Sequence, residues 1–242
     1  MTTLSRKQRE IADREARILE VSRPMLVQEG YHGLSMEKVA AELEYSKGTI
    51  YNHFCCKEEI IIALAVQTTE KRTRMFARGA AFAGNGRERI LAVSVAAELF
   101  VRLYPDHFLF EHVIRSGSIW EKTSESRRSV ILGCEQRCMN IVSGILRDAV
   151  VSGELVMPEK MTPETLVFGL WSLTFGAYSI IATSDSLGDL GVSHPFVAVR
   201  EHVMRLLDGY DWRPLSTVYD YEAVRHRIED EVFADELNTA SA

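Results

Sequence analysis

Apolar residues recur along this chain at helical spacing, and the pattern predicts an all-α protein. Over residues 6–29, Ile11, Ile18, Leu19, Met25 and Leu26 keep one apolar side. Ser5 and Gln8 form a capping box, and Gly30 is the expected stop. Pro24 lies inside this segment, removes a backbone donor and predicts a kink. Ser35 is the next N-cap, with Leu34 placed to staple onto Val39, and Val39, Ala40 and Leu43 give an apolar side. Ser46 repeats the arrangement with Tyr45 and Ile50, ahead of a helix over residues 47–52. A helix so short is marginal alone and needs a scaffold.

Longer helices are expected at residues 57–83, 87–103, 106–115 and 124–152. Gly84-Asn85-Gly86, Pro105-Asp106 and a Ser/Gly-rich loop separate them, and Gly153-Glu154-Leu155 with Pro158 closes the last. Thr162 and Pro163 then serve as N-cap and first helical residue. Residues 163–183 are apolar nearly all round, which predicts a helix buried on every side. Within it, Gly169, Ser172 and Gly176 form a stripe of small residues that permits close approach of another helix. A further helix opens at Pro195 and carries Phe196, Val199, Val203, Leu206 and Tyr210 at helical spacing. After the break at residues 209–214, an acidic amphipathic helix is expected over 217–233, packed through Val218, Tyr221, Ile228 and Val232.

Composition adds little to this picture, but charge changes it. A hydrophobic share of 46% supplies a core. No apolar run is read as reaching the roughly 18 residues of a membrane span, and the polar start is unlike a signal peptide. The expectation is a cytoplasmic protein with no membrane partner and four reduced cysteines. The net charge is −6, of which residues 215–242 carry −5, with two Arg against seven acids. Residues 1–60 hold nine cations and ten acids, so any attraction to phosphate there must come from locally placed groups.

Such groups are present on the short helix. Lys47, Thr49, Asn52 and His53 lie on its polar side, and all can donate to phosphates or base edges. Two short helices joined by a tight turn, with this face outward, read as a helix-turn-helix that offers residues 47–52 to a major groove. The run Ser46-Lys47-Gly48-Thr49-Ile50-Tyr51-Asn52-His53-Phe54, followed by Lys57-Glu58-Glu59, resembles the DNA-binding headpiece of the TetR family of one-component bacterial repressors. The chain departs from that family in the turn, where Glu44 and Tyr45 replace the usual Gly and small aliphatic residue. A position that wants positive φ tolerates Glu poorly, at a cost of about 1 kcal/mol, so a slightly altered turn with function kept is expected.

The resemblance implies a three-helix headpiece over residues 1–56 and a helical ligand-binding and dimerisation domain over 57–214. Residues 215–242 are left as an acidic helix and tail. It implies that Ser35, Thr49, Tyr51, His53 and Lys57 hold phosphates of double-stranded operator DNA. Lys47 and Asn52 are the base readers, and Ser46 and Gly48 complete the DNA-binding set. It also implies a pocket for a small-molecule effector, for which Phe100, Phe108, Phe110, Trp120, Phe168, Trp171 and Phe175 supply apolar walls. His112 and Arg115 are polar groups in the same region, so a largely apolar effector, not identified by the sequence, is expected. A homodimer through the helices at 163–183 and 195–210 would place Gly169, Ser172, Gly176, Val199, Val203 and Leu206 in the interface.

Cys55-Cys56 opens one alternative. A thiol at a helix N-terminus beside Lys57 favours the thiolate, as a redox-responsive regulator would need. A helical adaptor that has lost DNA binding, with Glu44 as its evidence, is another. Cys134 and Cys138 share a helix face, but with no His or second pair nearby they read as core cysteines, not as a metal site. There is no nucleophile elbow, phosphate-cradling Gly loop or HExxH, so neither an enzyme nor a cofactor is expected.

Overall fold

The computed structural model of the chain describes residues 5–114, 117–184 and 186–241. Among the described residues every regular element is a helix. They are α1 (Arg6–Gly33), α2 (Met36–Glu42), α3 (Lys47–Tyr51), α4 (Lys57–Ala80), α5 (Gly86–Leu103) and α6 (Pro105–Val113). After these come α7 (Gly117–Lys122), α8 (Glu125–Val151), α9 (Pro163–Thr183), α10 (Pro195–Gly209), α11 (Tyr221–Val232) and α12 (Ala234–Ser241). The Ser5–Gln8 capping box forms, as do the caps at Ser35, Ser46 and Thr162. Non-helical backbone inside α1 falls at Gly30, with φ 70°, and not at Pro24. Helices α7 and α12 stand where no helix was expected.

Packing divides the chain into two compact units, Met1–Glu70 with Asp106–Cys134, and Lys71–Pro105 with Glu135–Ala242. The boundaries expected after residues 56 and 214 are not where packing divides it. The cuts fall within α4, after the first residue of α6 and within α8, and α4 and α8 contribute substantially to each unit.

The first unit is built on one apolar cluster. Ile18 and Leu26 of α1, Leu34, Val39, Ile50 and Phe54, and Ile60, Ile61 and Leu64 of α4 are almost wholly buried in it. Phe110, Ile114, Ile119 and Ile131 complete it from α6, α7 and α8. Each such side chain contributes about 1.5–3 kcal/mol by leaving water. Ile11, expected on the packed side of α1, is 40% exposed, so the first turns of that helix lie outside the core.

In the second unit α5 is buried along most of its length, with α11 and α12 packed on it, while α10 packs on α9. Gly79 allows α4 to approach α5 closely, since a Cβ there would lie 2.9 Å from the Ala92 backbone. Arg87, fully buried, ties the 204–214 segment to α5. It donates to Asp208 at 2.6 Å and to the carbonyls of Met204, Trp212 and Pro214 at 2.8–3.1 Å. The packed side of α11 is Tyr221, Val224 and Ile228, whereas Val218 precedes the helix and is exposed.

The expectation that the 163–183 helix is buried all round fails within one chain. Leu166, Val167, Leu170 and Tyr178 of α9 are buried, but Phe168 and Ile180 are more than half exposed. By length and composition α9 is also sufficient to cross a membrane, contrary to the sequence expectation. Only 22% of its most apolar window is covered.

Candidate nucleic-acid interface

The short helix α3 is fixed from both ends. Ser46 Oγ accepts from Thr49 N at 3.1 Å and contacts Thr49 Oγ1 at 2.9 Å, and Ile50 anchors the helix in the core. The preceding turn closes on the end of α2, where Glu44 N donates to Ala41 O at 3.1 Å and Tyr45 N to Ala40 O at 2.9 Å. Glu44 has φ 54°, so the left-handed position that normally favours Gly is kept and filled by Glu. The turn is not rebuilt, and its geometry persists despite the backbone cost.

What α3 presents outward is polar. Ser46, Lys47, Gly48, Tyr51 and Asn52 are exposed and Thr49 and Ser35 half-exposed. A Cβ on Gly48 would meet nothing closer than Ser46 Oγ at 3.7 Å, so the protein itself does not demand glycine there. Lys47 is paired with Glu37 of α2 at 3.2 Å in an exposed ion pair that restrains it without burying it. Glu37 is held below the usual carboxylate range by its own backbone N–H and then by Lys47.

Two of the expected phosphate ligands are turned into the protein. The His53 side chain is only 7% exposed, with Nδ1 3.8 Å from Glu15 Oε1. Lys57 Nζ donates to Tyr31 O at 2.7 Å and lies 3.9 Å above the Tyr31 ring. Both therefore sit behind the exposed face and not on it.

Behind α3 lies a set of ties not foreseen from the sequence. Glu58 and Glu59, expected merely to complement the α4 dipole, are nearly buried. Glu58 accepts from Tyr31 Oη and, at 3.2 Å, from Lys122 Nζ. Glu59 accepts from Cys55 N at 3.0 Å and from both Ser124 N and Ser124 Oγ. Burial raises both carboxyls, yet these hydrogen bonds outweigh it and hold the two below the usual range. Arg127, in the first turn of α8, donates through Nη2 to Glu15 at 3.1 Å and to His53 O at 3.2 Å, and stacks 4.6 Å from the Phe54 ring. The local signal was present, since Glu58-Glu59 follows the motif directly. Of their partners, Lys122 and Ser124 lie more than sixty positions downstream, where no local pattern points to them.

The thiolate expected at Cys56 is not supported. Burial pushes its thiol up to about 12, and that of Cys55 is also raised, first by burial. Lys57 does not offset this, because its ammonium is turned to Tyr31. Cys56 Sγ instead donates to Lys122 O at 3.3 Å.

The expected effector residues divide between the units. Phe110 is a core residue of the first unit, Trp120 packs against the same cluster, and Phe108 is buried. Phe100 is buried in the second unit, where Trp171 and Phe175 follow one another along α9 with ring centres 6.0 Å apart. Arg115 lies outside the described residues, as does the side chain of His112. Of the expected interface residues, Val199 and Val203 are buried within the second unit and so are core. Leu206 is half-buried, while Gly169, Ser172 and Gly176 lie on the uncovered part of α9; nothing lies within 4 Å of a Cβ built on either glycine.

Comparison with known proteins agrees with this geometry. Residues 18–64 match the family described as bacterial regulatory proteins, tetR family. Over 186 residues the chain is 24% identical to the fatty acid metabolism regulator protein of Bacillus subtilis, covering 73% of this chain and 92% of that one. A crystal structure of a tetR-family regulatory protein from Rhodococcus RHA1 superposes with a TM-score of 0.62 at 16% identity, over 83% of this chain and 98% of that one. A transcriptional regulator from Saccharomonospora viridis, solved in complex with choline, superposes with a TM-score of 0.62 at 17% identity, over 81% and 96%. The headpiece is a DNA-binding helix-turn-helix, and over residues 18–64 it matches the tetR family of bacterial regulatory proteins.

Proposed function

We propose that this regulator is a cytoplasmic homodimeric repressor that holds a pseudo-palindromic operator and is released from it by a small, largely apolar effector. The observation that carries the reading is the outward face of α3, where Lys47, Tyr51 and Asn52 stand exposed on a helix anchored from behind by Ile50. In this reading Lys47 and Asn52 meet base edges. Ser35, Ser46, Thr49, Tyr51 and the backbone at Gly48 meet phosphates. Residues 1–56 act as the DNA-contacting headpiece. Lys57 and His53 support it through Tyr31 and Glu15, and Lys57 reaches phosphate only by leaving the Tyr31 carbonyl.

The dimer is argued from α9, whose exposed Phe168 and Ile180 and open Gly169–Gly176 stripe require a partner that one chain does not supply. A second copy pairing α9 with α9 covers that surface. Two recognition helices then face half-sites about one helical turn apart or a multiple of it. A small-molecule effector is supported by the choline bound in the Saccharomonospora relative and by the aromatic residues of the second unit. Recovery of genomic fragments bound by the full-length protein, followed by footprinting, tests the reading. Two protected half-sites with dyad symmetry are the expected result, and uniform retention of all fragments overturns it.

A further inference from the structure

Cys55 and Cys56 are adjacent thiols with Sγ atoms 3.8 Å apart; Cys55 is exposed and Cys56 partly so. We propose that they form a two-point capture site for a trivalent organoarsenical, one arsenic atom bridging both sulfurs. The site stands apart from the DNA-binding reading and does not depend on it.

Geometry selects a bridging atom over a disulfide. The peptide joining the two residues is trans, which fixes their Cα atoms about 3.8 Å apart, below the 4.4–6.8 Å that disulfides usually span. The sulfurs would also have to close from 3.8 Å to about 2.05 Å. A single soft atom needs far less movement. Two bonds of about 2.3 Å, the length of a zinc–thiolate bond, enclosing roughly 95–110° need sulfurs about 3.4–3.8 Å apart. A linear two-coordinate ion would need them about 4.6 Å apart by the same bond length. A tetrahedral cation would need two further donors, and among the described residues no group of three or more His, Cys, Asp or Glu is placed to hold one. Arsenic carrying one organic substituent is complete with two sulfurs, and thiols are the ligands that soft centres select.

The chemistry suits neutral thiols. An arsonous acid, R–As(OH)2, reacts with the two S–H groups so that two As–O bonds break and two As–S bonds form. Each thiol proton leaves with a hydroxide as water, arsenic stays trivalent, and no electrons are transferred. The raised thiol pKa values slow this exchange but do not forbid it, because each proton departs on the leaving oxygen. Once one sulfur is attached, the second reacts within the same molecule, so the chelate resists competing monothiols. Capture replaces the hydrogen bond from the Cys56 thiol to Lys122 O.

The test uses the full-length reduced protein and phenylarsine oxide. The expected result is one phenylarsenic group per chain by intact mass, with two thiols lost. The adduct is retained in excess glutathione and removed by 2,3-dimercaptopropanol. Cys55→Ser and Cys56→Ser, each checked for folding by circular dichroism, should bind no adduct that survives glutathione. The double variant Cys134→Ser/Cys138→Ser should behave as the parent. An adduct mapped to Cys134 or Cys138, stripping of the parent adduct by glutathione, or retention in either single variant overturns the proposal.

Discussion

Replacing Arg127 with Ala probes whether the headpiece is held by the start of α8. The change removes the 3.1 Å bond to Glu15, the 3.2 Å bond to the His53 carbonyl and the stacking on Phe54. A hydrogen bond from a charged group to a partly buried carbonyl contributes about 1.5–3 kcal/mol. The Glu15 pair, with both side chains a little over a quarter exposed, adds about 0.2–1 kcal/mol, and the stacking about 0.5–1 kcal/mol. One nitrogen serves both hydrogen bonds, so the contributions overlap and a loss of about 2 kcal/mol is expected. For a chain of this length, unfolding in one step, that lowers Tm by about 4–8 °C.

The loss should also reach DNA, because His53 and Phe54 end the segment that carries Tyr51 and Asn52. Thermal melts followed by circular dichroism, with operator binding followed by fluorescence anisotropy, read the two effects. Arg147→Ala, which breaks only an exposed pair with Glu164, is the control and should change stability by less than about 1 kcal/mol. If Arg127→Ala melts and binds operator like Arg147→Ala, the tie contributes nothing and the account of the headpiece is wrong.

Three further outcomes are expected. Lys47→Ala should cost about 1–3 kcal/mol at the contacted base pair and relax discrimination there, whereas Glu37→Ala frees Lys47 and should tighten binding to all sequences by a few-fold. Equal binding by both variants and the parent removes Lys47 from the base-reading set. Gly176→Leu has open space in the single chain, so the variant should fold normally yet sediment as a monomer or aggregate; an unchanged stable dimer counts against the α9 interface. Glu58 and Glu59 are depressed in the folded protein, so their contribution is complete above the unfolded carboxylate value of about 4.3 and is lost as pH falls through the folded values. Urea midpoints should therefore drop in acid more steeply for the parent than for Glu58→Gln/Glu59→Gln, and identical pH profiles would show that these carboxylates do not set the acid limit.

Much of the fold was legible because its signals are local. Caps at Ser5, Ser35, Ser46 and Thr162 depend on hydrogen bonds three residues away, whereas the altered turn expected from Glu44 did not appear, because the left-handed position is kept. The features that escaped are those whose cause is distant. Helix α7 is too short to persist by propensity, and it stands because Ile119 is buried and Thr123 closes back onto Ile119 O at 2.7 Å. Val199 and Val203 share helical spacing with Leu206, and spacing alone does not say which positions face their own chain and which a second copy.

Charge shows the same limit with a functional consequence. Counted over residues 1–60, the headpiece is nearly neutral and looks ill suited to DNA. In the fold several of its acids are held by partners away from α3, while Glu42 and Glu44 stay exposed at the turn that precedes it. Glu58 and Glu59 are buried against Lys122 and Ser124, Glu15 is bound to Arg127, and Glu29 is paired with Lys38. Lys122 and Arg127 belong to the same compact unit but lie outside any N-terminal window. With thirteen Lys/Arg against fifteen Asp/Glu that unit is no less acidic than the first sixty residues, so what they change is where charge is exposed and not its sum. Glu37 alone is paired with a group on the outward face of α3, where it holds Lys47. In a protein of net charge −6, the outward face of α3 thus stays polar because Lys122 and Arg127 hold Glu58 and Glu15 behind it, with Glu37 left to restrain Lys47 in front.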